Sequence, residues 1–559
     1  MIRKRVVEII NEACNKCKEE GILPCDVQTD PIIEIPREED FGDYSTNISF
    51  ILAPKIRKSP QDIAKILIER MTFDDLCDKV ELAGKGFINF YIKDRIWQEA
   101  LLELYKKGLE AFMPDVGKGK KVLMEFVSSN PTGPLHIGHG RGAAVGDVLG
   151  NILKKTGYNV VKEYYVNDAG KQIETLGESV YSRWKELKGE NIVFDESFYQ
   201  GEYVKDIAAL AVKNGLSVPT DRKDAINFFA KFASDIVLEG IVSDLENFGV
   251  FFDNYFSEAT LHKSGIVEET LELLKTKGYA YEKDDALWFR TSLFEKDDDR
   301  VLIKSDNEKT YFASDIAYHC NKFNRSFDIL IDIWGSDHHG YIPRMKAGIE
   351  ATGNNKENLK VLLIQFVTLL ENGKPVGMST RSGQFTTLSE VLDEVGRDVA
   401  RFFFLMRKSD AHLEFDLDLA KKTSSENPVY YIQYAYARIA SIFRNAEEDS
   451  IDIDFFNDTE QKETGIRIDL LKVKEEIILI KAILHLYDVL EGSARTLEPH
   501  RITFYLIDLV GKFHSYYNKT RILKNEKDLT IARLALLFML QQVIKYGLDI
   551  LGVSAPDKM

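Results

Sequence analysis

The sequence predicts a multidomain α/β protein, with a parallel-sheet domain between an N-terminal α+β domain and a C-terminal all-α bundle. Three observations predict it. The stretch "KKVLMEFVSS" is apolar almost throughout, as a parallel strand buried on both faces must be, and a helical segment and a second strand follow it. Before it, short helical and alternating segments succeed one another. After about Asp398, long stretches carry helical spacing with few turn signals. At 559 residues the chain has room for several domains of roughly 150 residues each. Its content, 44% hydrophobic and 29% charged, suits a folded soluble chain and argues against disorder.

Residues 1–112 form the first unit in this reading. Helical periodicity in "RVVEIINEA" gives way to "DPIIEIP" and returns in "PQDIAKILIERM". "VELAGKGFINFYI" then reads as strand, glycine turn and alternating strand. The polar, glycine-rich "MPDVGKGKK" is the linker. Residues 113–397 form the second unit. In "HIGHGRGAAVGDVLGNILKKTG", Ala144, Val148 and Ile152 recur at helical spacing, Lys154 and Lys155 fill the last turn, and Gly157 is the stop. "YNVVKEYYVND" supplies the next strand and completes a right-handed βαβ unit, so the sheet is Rossmann-like. Residues about 170–260 are charged and helical, and read as an insertion. "DILIDIWGSDHHG" and "KVLLIQFVTLL" return to the sheet. Residues 398–559 read as almost wholly helical, a bundle.

The N-terminal "MIRKRVVEIINEACNKCKEE" interrupts its apolar positions with charge and reads as an amphipathic helix, not a signal peptide. No uninterrupted apolar run reaches bilayer length, so the expected location is the cytosol, with no membrane partner. Cys14 and Cys17 make a C-x-x-C with Cys25 following; without a second pair, two positions on one helix face explain it better than half a zinc site. The net charge of −16 argues weakly against nucleic acid, but from Pro499 onward nine basic residues face five acids. That asymmetry hints at a polyanionic partner for the last domain.

"NPTGPLHIGHGRG", Asn130 to Gly142, opens the central helix. Three kinds of site use such a stretch. His136 and His139 share a helix face, but two ligands do not make a metal site, and none is expected. Gly138, Gly140 and Gly142, with Glu163 downstream to hold a ribose, resemble a dinucleotide turn. The spacing is wrong, however, and "NPTGPLHI" separates the strand end from the first of these glycines. A triphosphate fits best. A helix N-terminus at the carboxyl edge of a parallel sheet favours anions, and histidines donate to phosphate oxygens. No lysine follows in Walker form.

"PLHIGHGR" resembles the HIGH signature of class I aminoacyl-tRNA synthetases, and "MEFVSSNPTGPLHIGHGRGAAVGD" is similar to the version in the arginyl-tRNA synthetase family. "FGDYSTNISF", "GFINFYI", "YYVNDAGKQI", "KTYFASDIAYH", "DIWGSDHHGYIPRMKAG", "GMSTRSGQFTTLSEVLDEVGRDVARFFFL", "FDLDLAKKTSSENPVYYIQYAYARI" and "IARLAL" resemble the same family in its order. The resemblance covers nearly the whole chain.

It implies ligation of L-arginine to tRNA(Arg) with ATP. An arginyl-adenylate forms, and AMP and pyrophosphate are released. ATP enters as its Mg2+ complex, with no tightly bound cofactor. By resemblance His136 and His139 are catalytic, and Pro134, His136, Gly138, His139, Gly140, Met378 and Ser379 bind ATP. Ser128 and Asn130 hold the α-amino and carboxylate groups of arginine, with His139 beside them. Tyr311 and Asp315 bind its guanidinium, which wants an aromatic face and a carboxylate. Asp337 and His338 line the site. Residues 1–112 touch the outer corner of the tRNA. The helical domain, of DALR anticodon-binding type, offers Tyr434, Arg438, Lys519 and Arg521. Tyr436 stands where the family usually has histidine. The resemblance also implies a monomer whose arginine activation needs tRNA.

One signature departs. Where the family has K-M-S-K-S or a near relative, this chain has "GMSTR", Gly377 to Arg381, with neither lysine. Gly133 stands where some relatives carry a compensating lysine. Arg381 is expected to supply the charge, with Lys374 the other candidate. A chain that binds tRNA without charging it, and a synthetase for another amino acid, are the competing readings.

Overall fold

The structure is a computed structural model that describes residues 2–36, 38–376, 386–453, 456 and 465–559. By compactness the chain divides into two units. One comprises residues 1–108, 453–484 and 515–539; the other comprises 109–452, 485–514 and 540–559.

The first unit carries a four-stranded antiparallel sheet in the order Ile33–Glu34, Tyr44–Thr46, Phe87–Ile92, Cys77–Ala83. Helix Ile2–Glu19 buries Ile2, Val6, Ile10, Ala13, Cys14 and Cys17, a stripe at helical spacing. Both cysteines are therefore core residues, and burial pushes the Cys14 thiol up to about 12, far from thiolate form. Trp97, fully buried, stacks on Tyr44. The C-terminal segments of this unit hold Arg533 against buried Glu476 at 2.7 Å.

The second unit is built on a five-stranded sheet in the order Leu359–Ile364, Ile329–Gly335, Lys121–Glu125, Asn159–Val166, Asn254–Ser257. Every pairing in it is parallel. In chain order that is 5-4-1-2-3, the doubly wound arrangement. Its strand order reverses between Lys121–Glu125 and Ile329–Gly335, and the carboxyl ends of such strands are where doubly wound sheets bind their ligands. The signature helix, Ile137–Lys155, starts there and stops at Thr156, followed by Gly157 in the left-handed region.

Three details differ from the sequence reading. The stretch read as insertion holds helices Lys171–Leu187, Glu202–Lys213 and Arg222–Asn247, but it also contains Asn254–Ser257, the edge strand of the sheet. "KVLLIQFVTLL" is two strands, not one. Leu359–Ile364 joins the parallel sheet, and Val367–Glu371 joins a smaller sheet with Lys374–Pro375 and Leu413–Asp416. Leu413–Asp416 also breaks the helical run expected after Asp398. The hydrophobic pattern shows that such runs are buried but not which sheet receives them.

The signature helix is buried on most of its surface. Asp147 on it pairs with Lys162 at 2.5 Å and with fully buried Arg401. Arg401 also donates to the carbonyls of Phe248 at 3.0 Å and Leu551 at 2.7 Å.

Helix Lys527–Leu551 is long and apolar enough, by length and composition, to cross a membrane, and 72% of its most apolar window is buried inside the protein. The sequence reading passed over it because Gln541, Gln542 and Lys545 interrupt the apolar run.

Candidate active site

The chain leaves strand Lys121–Glu125 through a strained corner. Val127 and Ser128 have φ of 67° and 40°, a region costly for a side chain bearing Cβ, and most of all for β-branched valine. The Ser128 hydroxyl donates to Glu125 at 2.9 Å and accepts from the Tyr165 N–H at 3.1 Å, which holds the corner. Its proton is thus committed to the protein. Asn130 follows and donates to Gln172.

The two histidines form a reciprocal cap at the start of the signature helix. His136 Nδ1 accepts from the Gly138 N–H at 3.1 Å, and His139 Nδ1 accepts from the His136 N–H at 3.2 Å. The rings stack with centroids 3.7 Å apart. Burial lowers the pKa of His136; burial and its neighbour push His139 down to about 3. Both rings are neutral at pH 7. Because each Nδ1 accepts, each proton sits on Nε2. The pair is a set of neutral N–H donors.

A Cβ at Gly138 would meet the His136 ring at 2.9 Å. A Cβ at Gly140 would meet Leu388 at 2.7 Å. Room at Gly138 therefore serves the cap, and room at Gly140 is taken up by protein packing. Pro134 lies half-buried in the turn just before the cap.

The arginine-side residues come from other elements. Tyr311 opens helix Tyr311–Asn324 and is 64% exposed; Asp315, one turn on, shares its face. Asp315 accepts from the Tyr341 hydroxyl at 2.5 Å. Burial raises the Asp315 carboxyl above its ordinary value, with the Tyr341 hydrogen bond opposing. Glu258, buried, is pushed up to about 7 by burial and then by Asp315 and Asp168. With its amide oriented to satisfy its neighbours, Asn167 donates to Glu258 at 2.6 Å and lies 3.2 Å from Asn130. Asn167 thus lies between the signature turn and a cluster of carboxylates, and its hydrogen bond goes to the carboxylate side. Gly170, in the same loop as Asn167, is close to the Tyr311 hydroxyl.

Beneath the cluster lies a buried ionic layer. Lys322 contacts Glu125 at 2.5 Å and Asp332 at 2.8 Å, and His319 contacts Asp332 at 2.7 Å. Burial alone would raise Asp332, but Lys322 and His319 hold it down to about 2. Glu163, once a candidate ribose ligand, is fully buried against Arg325 at 2.5 Å, Tyr318 at 2.7 Å and Asn254 at 2.6 Å. That commitment rules out the dinucleotide reading.

Asp337 and His338 follow strand Ile329–Gly335 on the short helix Ser336–Tyr341, exposed and 3.7 Å apart. Lys374 is exposed on its two-residue strand. Gly377 to Arg381, with Met378 and Ser379, lie outside the described residues. The flanks of that segment are defined. Val376 N–H bonds Leu369, while Leu388 N–H bonds the Leu135 carbonyl at 2.8 Å and Thr387 bridges His136. The described chain after that segment thus lies directly against the first signature.

Among the expected tRNA contacts, exposed Tyr434 and half-buried Arg438 form one set, with the guanidinium 4.5 Å from the ring centroid. Lys519 and Arg521 belong to the other unit, where Lys519 pairs with Glu475 at 3.0 Å. Sequence reasoning missed Glu258 and Tyr341. Tyr341 sat inside a quoted motif without being singled out. Glu258 has no local signature; only the fold brings it to Asp315.

A doubly wound sheet with a neutral histidine pair at its switch point, and with Thr386–Leu388 laid beside that pair, defines a class I aminoacyl-tRNA synthetase. The comparisons agree. Residues 103–412 match the family described as tRNA synthetases class I (R), catalytic domain; residues 4–92 match the arginyl tRNA synthetase N terminal domain; residues 432–559 match the DALR anticodon binding domain. The arginine–tRNA ligase of Citrifermentans bemidjiense is 49% identical over 94% of both chains, and that of Syntrophotalea carbinolica is 46% identical over the whole of both. The arginyl-tRNA synthetase of Thermus thermophilus shares the fold, with TM-score 0.78 and 23% identity over all of both chains. The chain belongs to the arginyl-tRNA synthetase family. It is an ATP-dependent class I enzyme that charges tRNA with arginine.

Proposed function

We propose that one crevice holds arginine on its carboxylate side and ATP on its histidine side, so that the amino-acid carboxylate meets the α-phosphate between them. The observation that carries this is Asn167, which donates to Glu258 beside Asp315 and lies 3.2 Å from Asn130 of the signature turn, so that the turn and the carboxylates border one place. Asp315 and Glu258 take the guanidinium, and the exposed Tyr311 ring covers it. Asn130 holds the α-amino and carboxylate groups. Ser128 fixes the corner, with a hydroxyl lone pair or backbone left for substrate.

Pyrophosphate leaves as the carboxylate oxygen bonds to the α-phosphorus. The Nε2–H groups of His136 and His139 donate to phosphate oxygens as charge moves onto them, and they need no reorganisation because the cap has already set them. A terminal ribose hydroxyl of the tRNA then attacks the arginyl carbonyl, losing its proton, and AMP leaves. Pro134 and Gly138 border the nucleotide, Gly140 acts through packing, and Asp337 and His338 line the mouth. Met378, Ser379 and Arg381 complete the nucleotide side, with Arg381 in place of the signature lysines. Mg2+ arrives with ATP. Residues 1–112 touch the outer corner of the tRNA, 113–397 catalyse, and 398–559 bind the anticodon end through Tyr434, Arg438, Lys519 and Arg521. The enzyme works as a monomer in the cytosol.

ATP–pyrophosphate exchange with each amino acid, with and without tRNA, tests the assignment. Asp315→Asn should raise the KM for arginine by about two to three orders of magnitude, from the cost of truncating a charged pair, and leave the KM for ATP near its starting value. A comparable rise for ATP would overturn the two-sided crevice.

A further inference from the structure

The signature helix carries a second arginine that the chemistry above leaves unused. Arg141 is fully buried, yet among the described residues no carboxylate touches it. Its guanidinium instead donates to three backbone carbonyls: Gln365 at 2.8 Å, Ala411 at 2.9 Å and Lys408 at 2.9 Å. Burial lowers its pKa to about 10, with only Asp410 opposing. A buried arginine that ties loops together is in most proteins a structural staple. What distinguishes this one is which loops it ties.

Gln365 follows strand Leu359–Ile364 at the carboxyl edge of the sheet, and the next residue, Phe366, stays 67% exposed there. Lys408 and Ala411 precede strand Leu413–Asp416. Gln365 N–H bonds Ser409, and Leu413 N–H bonds Phe366, so the two segments are also laced to each other. From them grow the paired parallel strands Val367–Glu371 and Leu413–Asp416. The first of these leads to Val376, after which the chain comes back at Thr386–Leu388 beside His136. The described chain on either side of the second signature is therefore held to the signature helix: at Gln365 by Arg141, and at Thr386–Leu388 by Leu135 and His136.

We propose that Arg141 is a positioning residue for the nucleotide half of the site, setting the strand pair from which the second signature departs against the helix that presents His136 and His139. This rests on the assignment of ATP to the histidine side. The fork matters more than the charge. Three carbonyls in fixed directions need a planar donor set, which lysine does not offer.

Steady-state exchange kinetics of the full chain, with tRNA present, tests this with Arg141→Lys and Arg141→Met. Arg401→Lys, at the other buried arginine reaching this helix, serves as a control for lost packing. Arg141→Lys should raise the KM for ATP on the order of tenfold to a hundredfold, as small misplacements do, while the KM for arginine stays within about twofold. Arg141→Met should do the same or worse if it folds, and thermal melting reports whether it does. Arg401→Lys should lower the melting temperature without splitting the two KM values. Equal changes in both KM values for Arg141→Lys, or a pattern matching Arg401→Lys, overturns the inference. His136→Ala in the same series tests the reading beneath it. No loss on the ATP side there overturns that reading itself, whereas a loss there with an unsplit Arg141→Lys overturns only the role of Arg141.

Discussion

The two halves of the crevice solve opposite electrostatic problems by opposite means. On the proposed assignment, the arginine side must receive a permanent cation, and it buries carboxylates: Asp315 and Glu258 at the surface of the cluster, Glu125 and Asp332 below it. Buried carboxylates need compensation, and fully buried Lys322 supplies it to Glu125 and Asp332. The proposed nucleotide side must receive an anion, but the histidines assigned to it, His136 and His139, carry no charge at pH 7. It uses dipoles and N–H donors fixed by a helix cap, and leaves countercharge to what arrives with the nucleotide or lies in the second signature. One side is charged in advance and the other is not. With the proposed residues, the resting site would attract arginine by charge and recognise ATP by geometry.

The largest expected effect breaks the charged side from below. Lys322→Met leaves Glu125 and Asp332 buried without their cation and should destabilise the fold by about 3–5 kcal/mol, measured by denaturant unfolding at pH 7. The effect should shrink as pH falls and the carboxylates take up protons. A loss below about 1 kcal/mol would mean that the layer is not what holds the carboxylate side together.

The next effect isolates the neutral side. His139→Asn keeps a side-chain acceptor for the His136 N–H and removes the Nε2–H. Its melting temperature should stay close to wild type, while kcat for adenylate formation falls by about two to three orders of magnitude, the cost of one oriented donor. If instead stability drops and kcat of the folded fraction survives, His139 serves the cap alone.

The sequence was informative in unequal measure on these two sides. The nucleotide side is contiguous: turn, cap and glycines lie within thirteen residues, Asn130 to Gly142, so local chemistry reveals it. The central helix and its flanking strands were legible for the same reason, since period and stop signals are local. The arginine side is assembled from segments far apart in the chain, Glu258 on one helix, Tyr311 and Asp315 on another and Tyr341 on a third. Tyr311 and Asp315 were reached by resemblance, while Glu258 and Tyr341 stayed hidden because nothing near them in the chain indicates their neighbours. The edge strand Asn254–Ser257 and the strand Leu413–Asp416 were missed likewise; each is four residues long and is a strand only because of what it pairs with.

The smallest effect concerns pH, and here the halves have opposite signs. Glu258 rises from 4.5 unfolded to about 7 folded, so between those values the native state holds the extra proton. Its contribution is present at low pH and fades as pH rises through that window. His139 falls from 6.5 to about 3, so in its window the unfolded state holds the extra proton. Its contribution is present above 6.5 and is lost as pH falls. Between pH 4.5 and 6.5 the two slopes, each at most about 1.4 kcal/mol per unit, oppose each other. Glu258→Gln should therefore make stability climb more steeply with pH across that interval than in wild type, and His139→Asn should make it climb less or fall. Unfolding curves at pH 5 and 6.5 for the three proteins measure both. Parallel shifts, with the wild-type slope unchanged in each variant, would show that neither group titrates as its half of the site requires.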